Sequence, residues 1–132
     1  MTHFVADDGE KIHVKISGEG SPLILLHGWT SSSQEWFPFL GELNSHHRVF
    51  RWDARGHGGH TLAHPGSATV ERMARDLKTL IDHYGLHDAT AVGHSMGALI
   101  AANVAARYPD RVTSATLVAG PFYADAATFS KE

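Results

Sequence analysis

The feature that most constrains this chain is Gly93-His94-Ser95-Met96-Gly97, lodged between the short apolar run 89–92 and the alanine-rich stretch 98–107. The run reads as a strand, and the stretch after it, apolar on nearly every side, reads as a buried helix. A serine on so sharp a strand-to-helix turn takes strained backbone angles, and bulky neighbours at either end would collide. Glycines at both flanks let strand and helix approach closely. The turn lifts the hydroxyl above the sheet and sets it near a helix N-terminus, whose partial positive charge favours a developing anion. Taken alone, the pentapeptide also suits an ordinary connection with a capping serine. Its place between strand and helix is what gives it weight.

The remaining segments follow the same alternation. Asp8-Gly9 is a turn dipeptide, and residues 11–17 alternate with Ile12, Val14 and Ile16 on one face, so the N-terminal segment reads as a hairpin. Residues 22–26 form a continuous apolar run, which suits a parallel strand buried on both faces. Residues 34–44 read as a short helix weakened by Pro38 and Gly41, and residues 48–53 as the next strand. The clearest helix carries Val70, Met73, Ala74, Leu77, Leu80, Ile81 and Tyr84 on one 3.6-period face, with Gly85 at its stop. Residues 112–119 form a last strand. Strands alternating with helices predict an α/β fold with a mostly parallel sheet of about six strands.

Bulk properties narrow the function classes. At 132 residues the chain is expected to be one domain, residues 1–132. A net charge of −3 with no basic stripe argues against nucleic acid as a partner. No apolar run approaches the roughly 18 residues needed to cross a bilayer, and Met1-Thr2-His3-Phe4-Val5 lacks a basic region followed by a long apolar stretch, so no signal peptide is expected. The expectation is a cytoplasmic protein without a membrane partner. The absence of cysteine excludes disulfides, thiol chemistry and thiolate metal sites.

Four segments together carry a resemblance: the hairpin, Leu25-Leu26-His27-Gly28-Trp29, Asp53-Ala54-Arg55-Gly56-His57-Gly58, and Gly93-His94-Ser95-Met96-Gly97. In this order and spacing the chain resembles the α/β-hydrolase superfamily, especially small esterases, lactonases, carbon–carbon bond hydrolases and cofactor-free haloperoxidases. The resemblance implies an α/β-hydrolase-like fold and a serine hydrolase cleaving small or medium-chain esters by acyl transfer, with no cofactor. Ser95 matches the nucleophile. Trp29 and Met96 match the two residues whose backbone N–H groups form the oxyanion hole. Serine at this position disfavours the dehalogenase and epoxide-hydrolase branches, which carry aspartate.

The family places its acid after the seventh strand and its histidine after the eighth, whereas this sequence ends soon after a sixth. The expected domain is therefore truncated before the usual last two strands. Three histidines near strand ends are candidate bases: His27, His57 and His94. Asp125 and Asp53 are candidate acids, and Asp110 is also available. His57, His60 and His64 have a spacing reminiscent of metal ligands, with His46-His47 nearby. They lie in a glycine-rich loop with no helix to align them, so no metal site is expected. A sheet ending at a sixth strand leaves an unpaired edge, which predicts a homodimer or higher homo-oligomer. The alternative to an esterase is a catalytically inactive hydrolase half acting as a binding or assembly module.

Overall fold

A computed structural model describes residues 2–119. Strands β1 (Thr2–Val5) and β2 (Lys11–Ser17) form the antiparallel N-terminal hairpin. They are followed by β3 (Ser21–Leu26), a 3₁₀ helix (Ser33–Phe39), α1 (Leu40–Leu43) and β4 (His47–Asp53). Next come α2 (Val70–His83), β5 (Ala89–His94), α3 (Met96–Arg107) and β6 (Val112–Val118). The six strands form one sheet in the order β1-β2-β4-β3-β5-β6. β2 is antiparallel to β4, and the pairs β4–β3, β3–β5 and β5–β6 are parallel. No helix among the described residues is long and apolar enough to cross a membrane.

The apolar run of β3 divides its side chains between two cores. Ile24 and Leu26 pack with Phe50, Trp52 and the α2 stripe Met73, Leu77, Leu80 and Ile81. Leu23 and Leu25 face the other side, against Val49, Trp36 and Leu40. A strand buried on both faces has no polar side to show, which explains its unbroken hydrophobicity. β3 is also the strand at which the order reverses, since the chain runs from it to β4 on one side and reaches β5 on the other. In open parallel sheets the crevice at such a switch point, beyond the strand C-termini, is where ligands bind. Here that crevice lies between His27-Gly28 and His94-Ser95.

The expected helix over residues 34–44 is broken in two. Ser32 caps the first part through Gln34 N–H, at 3.2 Å, but Pro38 has no amide to continue a helical ladder. The result is a 3₁₀ segment and a single α turn. α3 begins at Met96, two residues before the alanine-rich stretch, because the turn at Ser95 opens directly into it. It buries Met96, Gly97, Ala98, Ile100, Ala101 and Val104 on one face, while Ala106 and Arg107 are exposed. β6 is exposed from Thr113 onward.

Charge ties these layers together at Arg55, whose side chain is fully buried. All five of its N–H donors are used. Nε and Nη2 grip Asp76 of α2 at 2.7 and 2.8 Å. Nη1 and Nη2 grip Asp8 of the hairpin turn at 2.8 and 3.1 Å. The last donor, on Nη1, reaches Ser67 Oγ at 3.0 Å. This bidentate geometry on both sides is what a guanidinium can supply and an ammonium cannot. Arg72 adds a second contact to Asp76 and one to Asp7.

Removing the guanidinium leaves the buried Asp76 without its main partner. Arg55→Met should lower the unfolding free energy by about 3–5 kcal/mol, read from urea melts at neutral pH. The same contact gives an acid limb. Its hydrogen bonds from Arg55 hold the Asp8 carboxyl well below the usual carboxylate range. The stability Asp8 contributes is therefore complete above its unfolded value of about 3.9 and is lost as pH falls below it. Asp8→Asn should flatten the wild-type loss of stability between about pH 4 and pH 2, measured by urea melts across that range.

Candidate functional site

Ser95 joins β5 to α3 with φ 54° and ψ −113°, a backbone conformation that a side-chain-bearing residue adopts only under constraint. Such strain costs about 1–3 kcal/mol and is retained where the surroundings enforce it. Here the constraint comes from both sides. Ser95 N–H donates to Val118 O of β6 at 3.0 Å, and Ser95 O accepts from Ala98 N–H at 2.9 Å. The flanking glycines are sterically required. A methyl group on Gly93 would run into the Gly97 carbonyl, and one on Gly97 would run into the Leu26 carbonyl. α3 thus sits directly on β5 and on the end of β3.

The segment after β3 is held with equal firmness. His27 is fully buried, and its Nε2 accepts the Ala54 N–H at 3.0 Å. The proton must then sit on Nδ1, which donates to Gly28 O at 2.8 Å. Burial pushes the His27 pKa down, in keeping with a neutral ring that uses both nitrogens. Gly28 O also accepts from Ser31 N–H at 3.1 Å. A peptide is planar and trans, so fixing the Gly28 carbonyl fixes the Trp29 N–H, which points the opposite way. Gly28 in turn lies against the elbow. A methyl group there would sit 3.2 Å from His94 Nδ1 and 3.3 Å from Ser95 Cβ.

The structure therefore brings together Ser95, the Trp29 amide segment and the first turn of α3, which begins at Met96. Helix first-turn N–H groups have no acceptor within their own helix, and they carry the positive end of its dipole. The Trp29 side chain is 58% exposed, and its ring meets His57 edge-on at 5.0 Å. Beside it is a cavity of about 400 Å³ whose lining includes Trp29, His57, Leu62 and Ala68.

The other sequence candidates scatter. His57 is buried and donates from Nδ1 to Arg55 O at 3.0 Å. His60 Nε2 lies 3.3 Å from Asp53 Oδ2, and His64 Nε2 donates to Asp8 O at 2.9 Å, so the loop histidines serve three different partners. His47 turns to Ser21 Oγ at 3.2 Å. Among the described residues no three histidine or carboxylate side chains converge as a metal site. Asp53 Oδ1 accepts the Ser33 N–H at 2.8 Å, so this acid supports the loop and hydrogen-bonds none of the three candidate bases. Asp110 is exposed and pairs with Arg111 at the opposite end of the sheet. Asp125 lies outside the described residues.

His94 has a partner that sequence reasoning missed. Its Nδ1 donates to Glu35 Oε2 at 2.8 Å, with the imidazole 41% and the carboxylate 22% exposed. Glu35 Oε1 accepts the Gly28 N–H at 3.4 Å. Glu35 lies three residues past the Ser32 cap, in a helix that starts just beyond His27-Gly28, and that proximity was the available signal.

Comparison with known proteins agrees with this fold. A family described as "alpha/beta hydrolase fold" matches residues 21–130. The non-heme haloperoxidase of Rhodococcus erythropolis is 35% identical over 120 residues, which cover 89% of this chain and 43% of that protein. A thermophilic esterase from Thermogutta terrifontis superposes with a TM-score of 0.85 at 30% identity, over 96% of this chain and 48% of the esterase. An esterase from Exiguobacterium antarcticum does so with a TM-score of 0.84 at 29% identity, over 90% of this chain and 45% of its own. The chain thus spans somewhat under half the length of these relatives.

The close approach at the elbow makes a steric prediction. Gly97→Ala should cost about 3 kcal/mol, at the upper end for overpacking. Gly41, which has open space around it within α1, provides the control. Gly41→Ala should be neutral or slightly stabilising, since alanine favours a helix over glycine. Parallel thermal and urea melts of the two variants make the comparison.

Proposed function

The chain belongs to the α/β-hydrolase fold family, and from that premise we propose that it carries the nucleophile and oxyanion half of a serine esterase acting on small or medium-chain esters. The observation that carries this reading is Ser95, held in a strained conformation at the N-terminus of α3 and pressed against Gly28. The esterase relatives support the ester class. In the proposed reaction Ser95 Oγ attacks the ester carbonyl and the alcohol leaves, giving an acyl-serine that water hydrolyses. The Trp29 and Met96 amides hold the oxyanion that forms in each half-reaction. A preorganised donor of this kind lowers the barrier by about 3 kcal/mol.

The serine proton needs an acceptor. His27 uses both ring nitrogens on backbone groups, and His57 is buried with Nδ1 on Arg55 O. His94 differs, being half-exposed and paired through Nδ1 with a carboxylate. That arrangement leaves Nε2 to act, as in orienting pairs of serine hydrolases. It makes His94 the favoured base within this chain.

A second reading follows from the commitment of His27 and His57 to backbone: an inactive half that acts as an assembly module. The exposure of β6, with Leu117 at 41% and Val118 at 45%, favours association with another copy along this strand.

Hydrolysis of p-nitrophenyl acetate and butyrate separates the two. The esterase reading expects wild-type turnover that Ser95→Ala abolishes. It also expects His94→Ala to lose turnover and added imidazole to restore it, with Ser95→Ala in the same imidazole as the blank. Wild-type rates equal to those of Ser95→Ala, with and without imidazole, would reject it in favour of the assembly module.

A further inference from the structure

The proposed oxyanion donors lie on two chain segments that are remote in sequence, Trp29 after β3 and Met96 at the start of α3. Their separation has to be held to within a fraction of an ångström for both to reach one oxygen. We propose that Glu35 is the positioning residue that ties these two segments together, an inference that rests on Ser95 being a nucleophile served by those amides. Its carboxylate accepts from the Gly28 N–H with one oxygen and from the His94 Nδ1–H with the other, at 3.4 and 2.8 Å. Gly28 immediately precedes Trp29, and His94 immediately precedes Ser95. One side chain thereby bridges the residue before each half of the site.

A carboxylate suits this task because it is acceptor-only and has two oxygens, so it can take both donors without a change of tautomer. Ordinary exposed ion pairs contribute little, since two long side chains must be ordered to make them. Glu35 is not of that kind. Its helix begins at Ser33, which is buried and clamped through both backbone groups. Asp53 Oδ1 takes the Ser33 N–H at 2.8 Å, and Arg51 Nη1 donates to the Ser33 O at 3.1 Å. The neighbouring Trp36 is buried in the second core. β4 therefore presents Glu35 from a fixed base, and the carboxylate needs little further ordering. The absence of a side chain at Gly28 suits this close approach, since a methyl group there would press on His94 and Ser95 at 3.2 and 3.3 Å.

The chain is small enough for amide NMR, which allows a test that does not require turnover. Two readouts are taken on wild type, Glu35→Ala and Glu35→Gln. One is the rate at which a fluorophosphonate modifies Ser95, with Ser95→Ala as blank. The other is the set of amide resonances of Gly28, Trp29, Ser95 and Met96. Glu35→Ala should slow modification by about tenfold or more. The loss should fall on the maximal rate and not on the reagent's apparent affinity, and the Trp29 and Met96 resonances should move together. Glu35→Gln keeps an acceptor for the Gly28 N–H but turns an N–H₂ donor toward His94 Nδ1, which puts the ring proton on Nε2, so modification should slow in this variant as well. Wild-type modification rates in Glu35→Ala, or resonance changes that reach Gly28 and His94 but stop short of Trp29 and Met96, would overturn the proposal. If Glu35→Ala fails to fold, the glutamine variant carries both readouts, and unmoved amides with wild-type rates reject the idea. If wild type reacts no faster than Ser95→Ala, the hydrolase reading falls, and the amide resonances alone decide whether Glu35 couples the two segments.

Discussion

Where β3, β5 and α3 meet, two glycines leave no space for a Cβ and a third leaves little. Gly93 and Gly97 let a helix rest on backbone carbonyls, and Gly28 lets the segment after β3 lie against the serine. Every other property of the site depends on this proximity. In the proposed reaction the helix N-terminus can face the oxyanion only if the helix begins at the sheet, and the Trp29 amide can reach it only if its loop comes up to the elbow. Packing elsewhere is of the usual kind, in which a lost methyl group costs a predictable amount. At Gly93 and Gly97 one added methyl group meets main chain, which cannot rotate out of the way.

The scaffold that holds the junction uses buried polar groups as struts. Arg55 connects the hairpin turn, the loop after β4 and α2. Arg51 and Asp53, alternating on one face of β4, secure the two backbone groups of Ser33. His27 joins Ala54 to Gly28. Three consecutive odd positions of β4 and its flanking loop, 51, 53 and 55, thus brace structure on both sides of the sheet. Charges so enclosed add little net stability compared with apolar residues of the same shape, but removing one partner is costly. Their value lies in fixing directions. A planar peptide turned by a hydrogen bond at its carbonyl aims its N–H, and that is how a buried imidazole can act at a distance from the bond it orients.

Much of this was legible in the sequence. The elbow glycines, the apolar run of β3 and the α2 stripe each pointed to the element that formed, because close approach, double burial and a 3.6-residue period leave direct marks on composition. The segment at 34–44 was harder to read. Pro38 warned of a break, but the choice between α and 3₁₀ geometry depends on the cap and on how Trp36 packs. The histidines were the least legible. A histidine that braces a carbonyl and one that faces a carboxylate look the same in a sequence, and only the partners of each nitrogen separate His27 from His94. Glu35 carried no motif at all. Its importance comes from two donors that lie seven and fifty-nine positions away along the chain.

The place of β3 has a further effect on how the chain is made. This strand lies at the centre of the parallel region, but both of its neighbours come after it, and its pairing with β5 joins Leu23 to Thr90. At ribosomal speeds of roughly 5–20 residues per second, a strand apolar from Pro22 to Leu26, with β4 alone available to pair with it, waits for seconds before its second partner emerges. Non-local parallel pairing is slow even then, since a long loop must close first. The same run of leucines that gives the finished sheet its centre is therefore, during synthesis, the segment most in need of shielding by a chaperone.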